Sequence, residues 1–195
     1  MDFGDLRVVA LHKHPEYLTP CCEMINDEWP RSVTARMNSL QASCDSLPTS
    51  LILINKNETL LGHCKLSRIP SLPKSCFVES VVITKSMRGK KLGTFLMNKV
   101  EEYCKNILKL NMIHLSTHGQ QDFYSKLGYV VCHPISIYGN FKQNEASTNL
   151  KSKKETFASK EKAANEKIKP PPPPPPPPAP TTDKPDKIFM FKKLF

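Results

Sequence analysis

A run rich in β-branched and aromatic residues, Cys76 to Thr84, leads into Arg88-Gly89-Lys90-Lys91-Leu92-Gly93 and then into a helical pattern. This order of strand, glycine turn and helix constrains the fold more than any other feature of the chain. There are seven glycines in all, so a pair bracketing a strand-to-helix junction marks a backbone that approaches something closely. Leu92, Phe95, Leu96, Val100, Tyr103 and Ile107 follow helical spacing, and Glu101 stands one turn before Lys105 on the exposed face. In the strand, Phe77, Val81 and Ile83 share a face with Glu79 while Val78 and Val82 take the other, the pattern of a strand buried on both sides. The first amides of a helix lack intrahelical partners and lie at the positive end of its dipole, which suits a diphosphate. Lys90 and Lys91 add mobile positive charge. Taken alone, the hexapeptide is equally open to a second reading, ordinary turn and packing glycines beside a solvated basic run.

The chain of 195 residues accommodates one domain with a tail. From Phe141 the composition turns to Lys, Glu, Asn, Ser and Thr, ending in nine consecutive prolines, Pro170 to Pro178. Residues 141–186 are therefore expected to be a disordered linker carrying a polyproline II rod, with 1–140 as the folded domain. Through Asn140 there are 16 basic against 12 acidic residues, and beyond it 12 against 6, so the net +10 divides into +4 and +6. The domain is only mildly basic and carries no nucleic-acid-binding motif, which argues against nucleic acid as a partner.

Seven cysteines, an odd number with no C-x-x-C, fit reduced thiols in a cytosolic protein. No metal site is expected: His114 and His118 have helical i, i+4 spacing, but His114 lies in a strand-like run. Met1 to Arg7 lacks an apolar signal core and no apolar run reaches membrane-spanning length, so no membrane association is expected.

Along the chain, Leu6 to Leu11 reads as a strand. A helix follows, capped by Thr19 with Pro20 at its first position and an apolar stripe of Cys21, Cys22, Ile25 and Trp29. Arg31 to Leu40 reads as a second helix. Ser50 to Asn55 and Leu60 to Arg68 suggest a hairpin. After the long helix come a strand at Asn111 to Thr117, a helix at His118 to Leu127 capped by Gly128, and a strand opening at Tyr129. Lys187 to Leu194 alternates again, and its expected place is as a last strand returning to the sheet. A loose hydrophobic tail or a peptide ligand for a partner is the alternative.

This order resembles the GNAT acetyltransferase superfamily. Its acetyl-CoA loop often reads R-G-x-G-x-G, matched here by Arg88, Gly89, Lys90, Leu92 and Gly93, with Lys91 in place of the middle glycine. Phe123 to Tyr129, F-Y-S-K-L-G-Y, resembles the family's fourth helix and following strand. Within the superfamily, I-N-D-E-W-P-R-S at Ile25 to Ser32, G-H-C-K-L-S-R at Gly62 to Arg68, H-L-S-T-H at His114 to His118 and the proline run are similar to the actin N-terminal acetyltransferases, the N-alpha-acetyltransferase 80 family. The resemblance implies an α/β (α+β) fold with a mixed central sheet of about seven strands and about four helices, and a disordered proline-rich insertion before the last strand. It further implies transfer of acetyl from acetyl-CoA to the acidic amino terminus of processed actin, with profilin bound through Pro170 to Pro178 and the enzyme working as a monomer.

For site residues, the resemblance implies backbone contacts to the cofactor near Val81, Val82 and Ile83, along Arg88, Gly89, Lys90, Lys91, Leu92, Gly93 and Thr94, and at Gln120. Thr117 holds the place of a pantetheine-binding Asn, and Gln120 or His118 is its substitute. Tyr124 would protonate the departing sulfur; an aromatic core residue is its plain alternative. Glu79, a carboxylate in an apolar strand, is a candidate to accept the amine's proton through water, with a structural salt bridge as the competing explanation. His118 is a reserve base, for which a capping or packing role is preferred. Arg31 and Arg36 are assigned to substrate carboxylates, Trp29 to the groove wall with Met37, Asn38 and Ser39 beside it, and Lys65 and Arg68 to second rank.

Overall fold

Leu51, Ile52, Leu53 and Ile54 are consecutive and all fully buried, so the strand that carries them is covered on both faces. In the computed structural model, which describes residues 3–138 and 187–194, that strand is β2 (Thr49–Asn55) of a mixed seven-stranded sheet. Its companions are β1 (Leu6–Ala10), β3 (Leu60–Arg68), β4 (Ser75–Ile83), β5 (Met112–Thr117), β6 (Val130–Cys132) and β7 (Ile188–Lys193), in the order β1-β2-β3-β4-β5-β7-β6. All neighbours are antiparallel except β4 and β5. Four α-helices flank the sheet: α1 (Leu18–Glu28), α2 (Val33–Gln41), α3 (Leu92–Asn106) and α4 (Gln121–Lys126). This is the mixed sheet of about seven strands with about four helices expected from the sequence.

Two cores result. The stripe Leu92, Leu96, Val100 and Cys104 of α3 packs on Cys64, Leu66, Cys76 and Val78, and Cys21, Cys22 and Ile25 of α1 pack with Leu40 of α2 on Ile52 and Val82. All seven cysteines are free thiols. No helix among the described residues is long and apolar enough to cross a membrane, and no group of three or more potential metal ligands occurs among them.

Four local expectations need correcting. Tyr17, not Thr19, is the N-cap of α1, and Pro20 lies within the first turn, where its missing N–H breaks no helical bond. Ser32 caps α2, its hydroxyl accepting from Ala35 N–H at 3.4 Å, so Arg31 precedes that helix. Helix α4 begins at Gln121, which leaves His118 in the turn before it. The fourth concerns β4. Lys65 pairs with Ser80 and Leu66 with Val78, so Glu79 is the extra residue of a β-bulge. A bulge inverts the alternation beyond it. Val78, Val81 and Ile83 therefore share the α3 side, and Val82 faces α1.

Lys187 to Leu194 takes the sheet position between β5 and β6, Ile188 pairing with Thr117 and Phe191 with both His114 and Val130. The nine prolines and the rest of 139–186 lie outside the described residues.

Candidate active site

The parallel pairing of β4 with β5 runs from Ser75–Met112 to Val78–Leu115 and stops there. Beyond the bulge, β4 continues to Ile83 beside a gap. At the end of that gap, Gly89 and Lys91 both have left-handed backbones, with φ of 77° and 60°. Glycine adopts this freely, and space is open where a Cβ on Gly89 would lie. A non-glycine residue there costs roughly 1–2 kcal/mol, and Lys91 carries that strain as the N-cap of α3 without any side-chain cap bond. The first amide of this helix to donate back along the chain is Phe95, to Lys91 O at 3.1 Å. Among the described residues, none accepts from the amides of Gly89, Lys90, Lys91, Leu92, Gly93 or Thr94. Six consecutive N–H groups thus stand without a partner at a helix start, an arrangement that fits an anionic group.

All of these residues except Lys90 border a cleft of about 520 Å³. Val81, Val82 and Ile83 of β4, the stretch Arg88, Gly89, Lys91, Leu92, Gly93 and Thr94, and Gln120, Phe123 and Tyr124 at α4 all line it. Gly93 permits the close approach of α3 to α4, since a Cβ there would meet Phe123 at 3.4 Å. The Tyr124 ring stands edge-on to Phe123 and Tyr129, with centroids 4.9 and 5.8 Å apart. Burial, and secondarily the neighbouring Cys64 thiol, pushes the Tyr124 phenol above its ordinary range, so at neutral pH it holds a proton to give.

The structure thus gathers Tyr124, Gln120 and all the loop residues except Lys90 around one cleft. Lys90 turns back to Met87, its Nζ 3.5 Å from the sulfur. Thr117 is buried in β5 opposite Ile188, and His118 is exposed in the next turn; neither lines the cleft.

Of the groove residues, Trp29 lines the cleft and is 44% exposed. Arg36 is bonded to α1, donating through Nε to Asn26 Oδ1 at 3.1 Å and through Nη2 to Trp29 O at 2.8 Å. It therefore satisfies a carbonyl at the end of that helix and fixes the wall. Met37 packs in the core beneath α1, and Asn38 is exposed. Ser39 accepts from Lys65 Nζ at 2.9 Å. Glu79 does not line the cleft. It pairs with Lys65 at 3.3 Å and accepts a hydrogen bond from Ser67, the salt-bridge arrangement that the sequence left open.

Two cleft residues, Glu28 and Met87, were not legible beforehand. Glu28 binds Arg88, Oε2 to Nη2 at 2.7 Å, while Arg88 Nε donates to Ile83 O at 3.0 Å. A carboxylate in the last turn of a helix opposes the helix dipole, and that unfavourable placement was the available sign that Glu28 has a cation partner. Met87, also in the lining, carried no comparable sign.

Residues 18–129 match the family model described as acetyltransferase (GNAT) family. The chain is 37% identical over 127 residues to N-alpha-acetyltransferase 80 of Mus musculus, covering 62% of this chain and 40% of that protein. The match therefore spans well under half the length of that relative. Among solved structures, spermidine N-acetyltransferase from Vibrio cholerae in complex with CoA and spermine superposes with a TM-score of 0.62 at 15% identity, over 98% of this chain and 96% of that one. A GNAT-family acetyltransferase from Staphylococcus aureus gives 0.59 at 16%, over 97% and 99%. These two likenesses concern the fold.

Proposed function

The chain belongs to the acetyltransferase (GNAT) family, and from that membership we propose that it moves acetyl from acetyl-CoA to the free α-amino group of an acidic protein N-terminus, with processed actin as the acceptor. The observation that carries this reading is one cleft lined both by Tyr124 and by five residues, Gly89 and Lys91 to Thr94, whose amides have no partner among the described residues. When bound, acetyl-CoA supplies a thioester carbonyl open to attack by an amine.

The residues present fit that group. The amides of 89–94 hold its diphosphate, Lys91 adds charge, and the stretch of β4 that β5 leaves unpaired offers backbone groups to the pantetheine arm. The same β4 groups near Val81 to Ile83 polarise the carbonyl. Tyr124 gives its proton to the departing sulfur. Glu79, held by Lys65 and Ser67 at the bulge where the strands part, receives the amine's proton through water.

Identity to a relative named as an N-alpha-acetyltransferase supports a protein amino terminus over a polyamine. So does the charge of the acceptor wall. Arg31 stands exposed before α2, Arg36 backs Trp29, and Lys65 lies on the adjoining strand, cations that complement acidic residues and repel a polycation. Met37, Asn38, Ser39, Thr117 and His118 complete the acceptor side in this reading. Pro170 to Pro178, in the linker 141–186, dock profilin and so deliver its bound actin. In this reading the protein works as a monomer in the cytosol, where its free thiols would stay reduced.

Intact-mass analysis tests the proposal. Actin with a free acidic amino terminus, incubated with the protein and acetyl-CoA, should gain one acetyl group, faster when profilin is bound. A peptide of the same sequence blocked at its amine should gain none. Acetylation of the blocked peptide, or of spermidine in preference to actin, would overturn the acceptor assignment.

A further inference from the structure

Helix α4, which carries Tyr124, has six residues, too few to hold its shape alone in water. Its end is fastened by Lys192, a residue of β7. Lys192 Nζ donates to Leu127 O at 2.7 Å and to Glu101 Oε2 of α3 at 2.6 Å, and it lies 5.7 Å from the centroid of the Tyr129 ring. The side chains of Lys192 and Glu101 are 25% and 13% exposed, so the pair is largely shielded from solvent. A cation at the C-terminal carbonyls of a helix is favourably placed.

The clamp reaches Tyr124 by short routes. Leu127 and Tyr129 both donate their amides to Tyr124 O, at 3.0 and 3.1 Å. The buried Tyr129 ring, which the ammonium approaches, meets the Tyr124 ring edge-on. The stem of Lys192 also packs where a side chain on Gly128 would stand, its Cε 3.6 Å from that position.

We propose that Lys192 is a positioning residue for the acetyl transfer: by tying α3, the end of α4 and Tyr129 to one ammonium, it fixes the Tyr124 phenol in the cleft. Strand β7 is thereby part of the active site without touching substrate. This rests on the reading of Tyr124 as the acid.

The experiment is a kinetic cycle on the full chain with acetyl-CoA and an acidic amino-terminal peptide, comparing wild type, Lys192→Met, Tyr124→Phe and the double variant. Displacing a catalytic group by about 1 Å can lower a rate on the order of 100-fold, so Lys192→Met should lower kcat roughly 10- to 100-fold. The Kd for CoA, set at the other end of the cleft, should stay within about twofold. In the Tyr124→Phe background Lys192→Met should cost nothing further, because the group it positions is already gone. An equal loss in both backgrounds marks a merely structural residue and overturns the proposal, as does a kcat for Lys192→Met within twofold of wild type. Should Lys192→Met not fold, Glu101→Gln replaces it: a several-fold lower kcat confined to the Tyr124 background supports the clamp, and an unchanged kcat refutes it. Full activity of Tyr124→Phe would instead refute the acid assignment, and the clamp with it.

Discussion

His63 of β3 makes the domain sensitive to mild acid. Its side chain is completely buried between Ile52 of β2 and Val82 of β4, with neither ring nitrogen hydrogen-bonded among the described residues. Burial first, then the charges of Lys65 and Arg36, lowers its pKa to about 3. In the unfolded chain a histidine takes up a proton near pH 6.5. Between these values the unfolded state binds more protons than the folded state, so stability is fully present above about pH 6.5 and is lost as pH falls toward 3. Each pH unit below 6.5 removes roughly 1.4 kcal/mol, or about 2 kcal/mol between pH 7 and pH 5. For a domain of this size, that is a fall in Tm of about 4–8 °C.

His63→Leu removes both the titration and the two unpartnered nitrogens. Thermal unfolding followed by circular dichroism at pH 7 and pH 5 isolates the effect as the difference between wild type and variant. The variant should be more stable by about 1 kcal/mol at pH 7 and by about 3 kcal/mol at pH 5. If both proteins lose the same stability between the two pH values, the buried neutral imidazole is not the cause and the reasoning fails.

Tyr124→Phe should lower kcat by about 100-fold with the Kd for acetyl-CoA unchanged. Because the phenol is held above its ordinary range, the wild-type rate should show no alkaline loss from Tyr124 below about pH 10; steady-state kinetics across pH reads both. Lys91→Gly relieves the left-handed backbone at φ 60° and should stabilise the protein by roughly 1 kcal/mol in urea titration, while the loss of its charge should raise the KM for acetyl-CoA by about two- to fivefold. Glu28→Gln removes an anion from the mouth of an anion site and frees Arg88. The KM for acetyl-CoA should fall by about two- to fivefold, an effect that shrinks as salt rises.

Much of the site was readable because its chemistry is made by backbone. Glycines at a strand-to-helix junction dictate where amides go unpaired, and Gly89 and Gly93 mark that stretch by their small size alone. Helix α3 and its stripe were equally plain, since regular burial writes a regular period. The bulge at Glu79 was not: an inserted residue leaves no mark on a pattern read as strict alternation, and every residue after it was placed on the wrong face. Nothing in the spacing of Arg36 shows that α1 ends beside it with an open carbonyl at Trp29. The seat of β7 between β5 and β6 was likewise hidden, because alternation shows that a segment is a strand without naming its neighbours.

That seat bears on how the protein is made. Among the described residues strand β6 hydrogen-bonds to β7 and to no other strand, yet Ile188 follows Cys132 by 56 positions. At a synthesis rate of about 5–20 residues per second, a growing chain waits roughly 3–11 s between producing the first of these segments and producing the second. For that interval β5 presents an open edge and Val130 has no strand to join. A ribosome-bound intermediate with a bare sheet margin is the form of this protein most open to chaperone capture, and to pairing with the wrong strand.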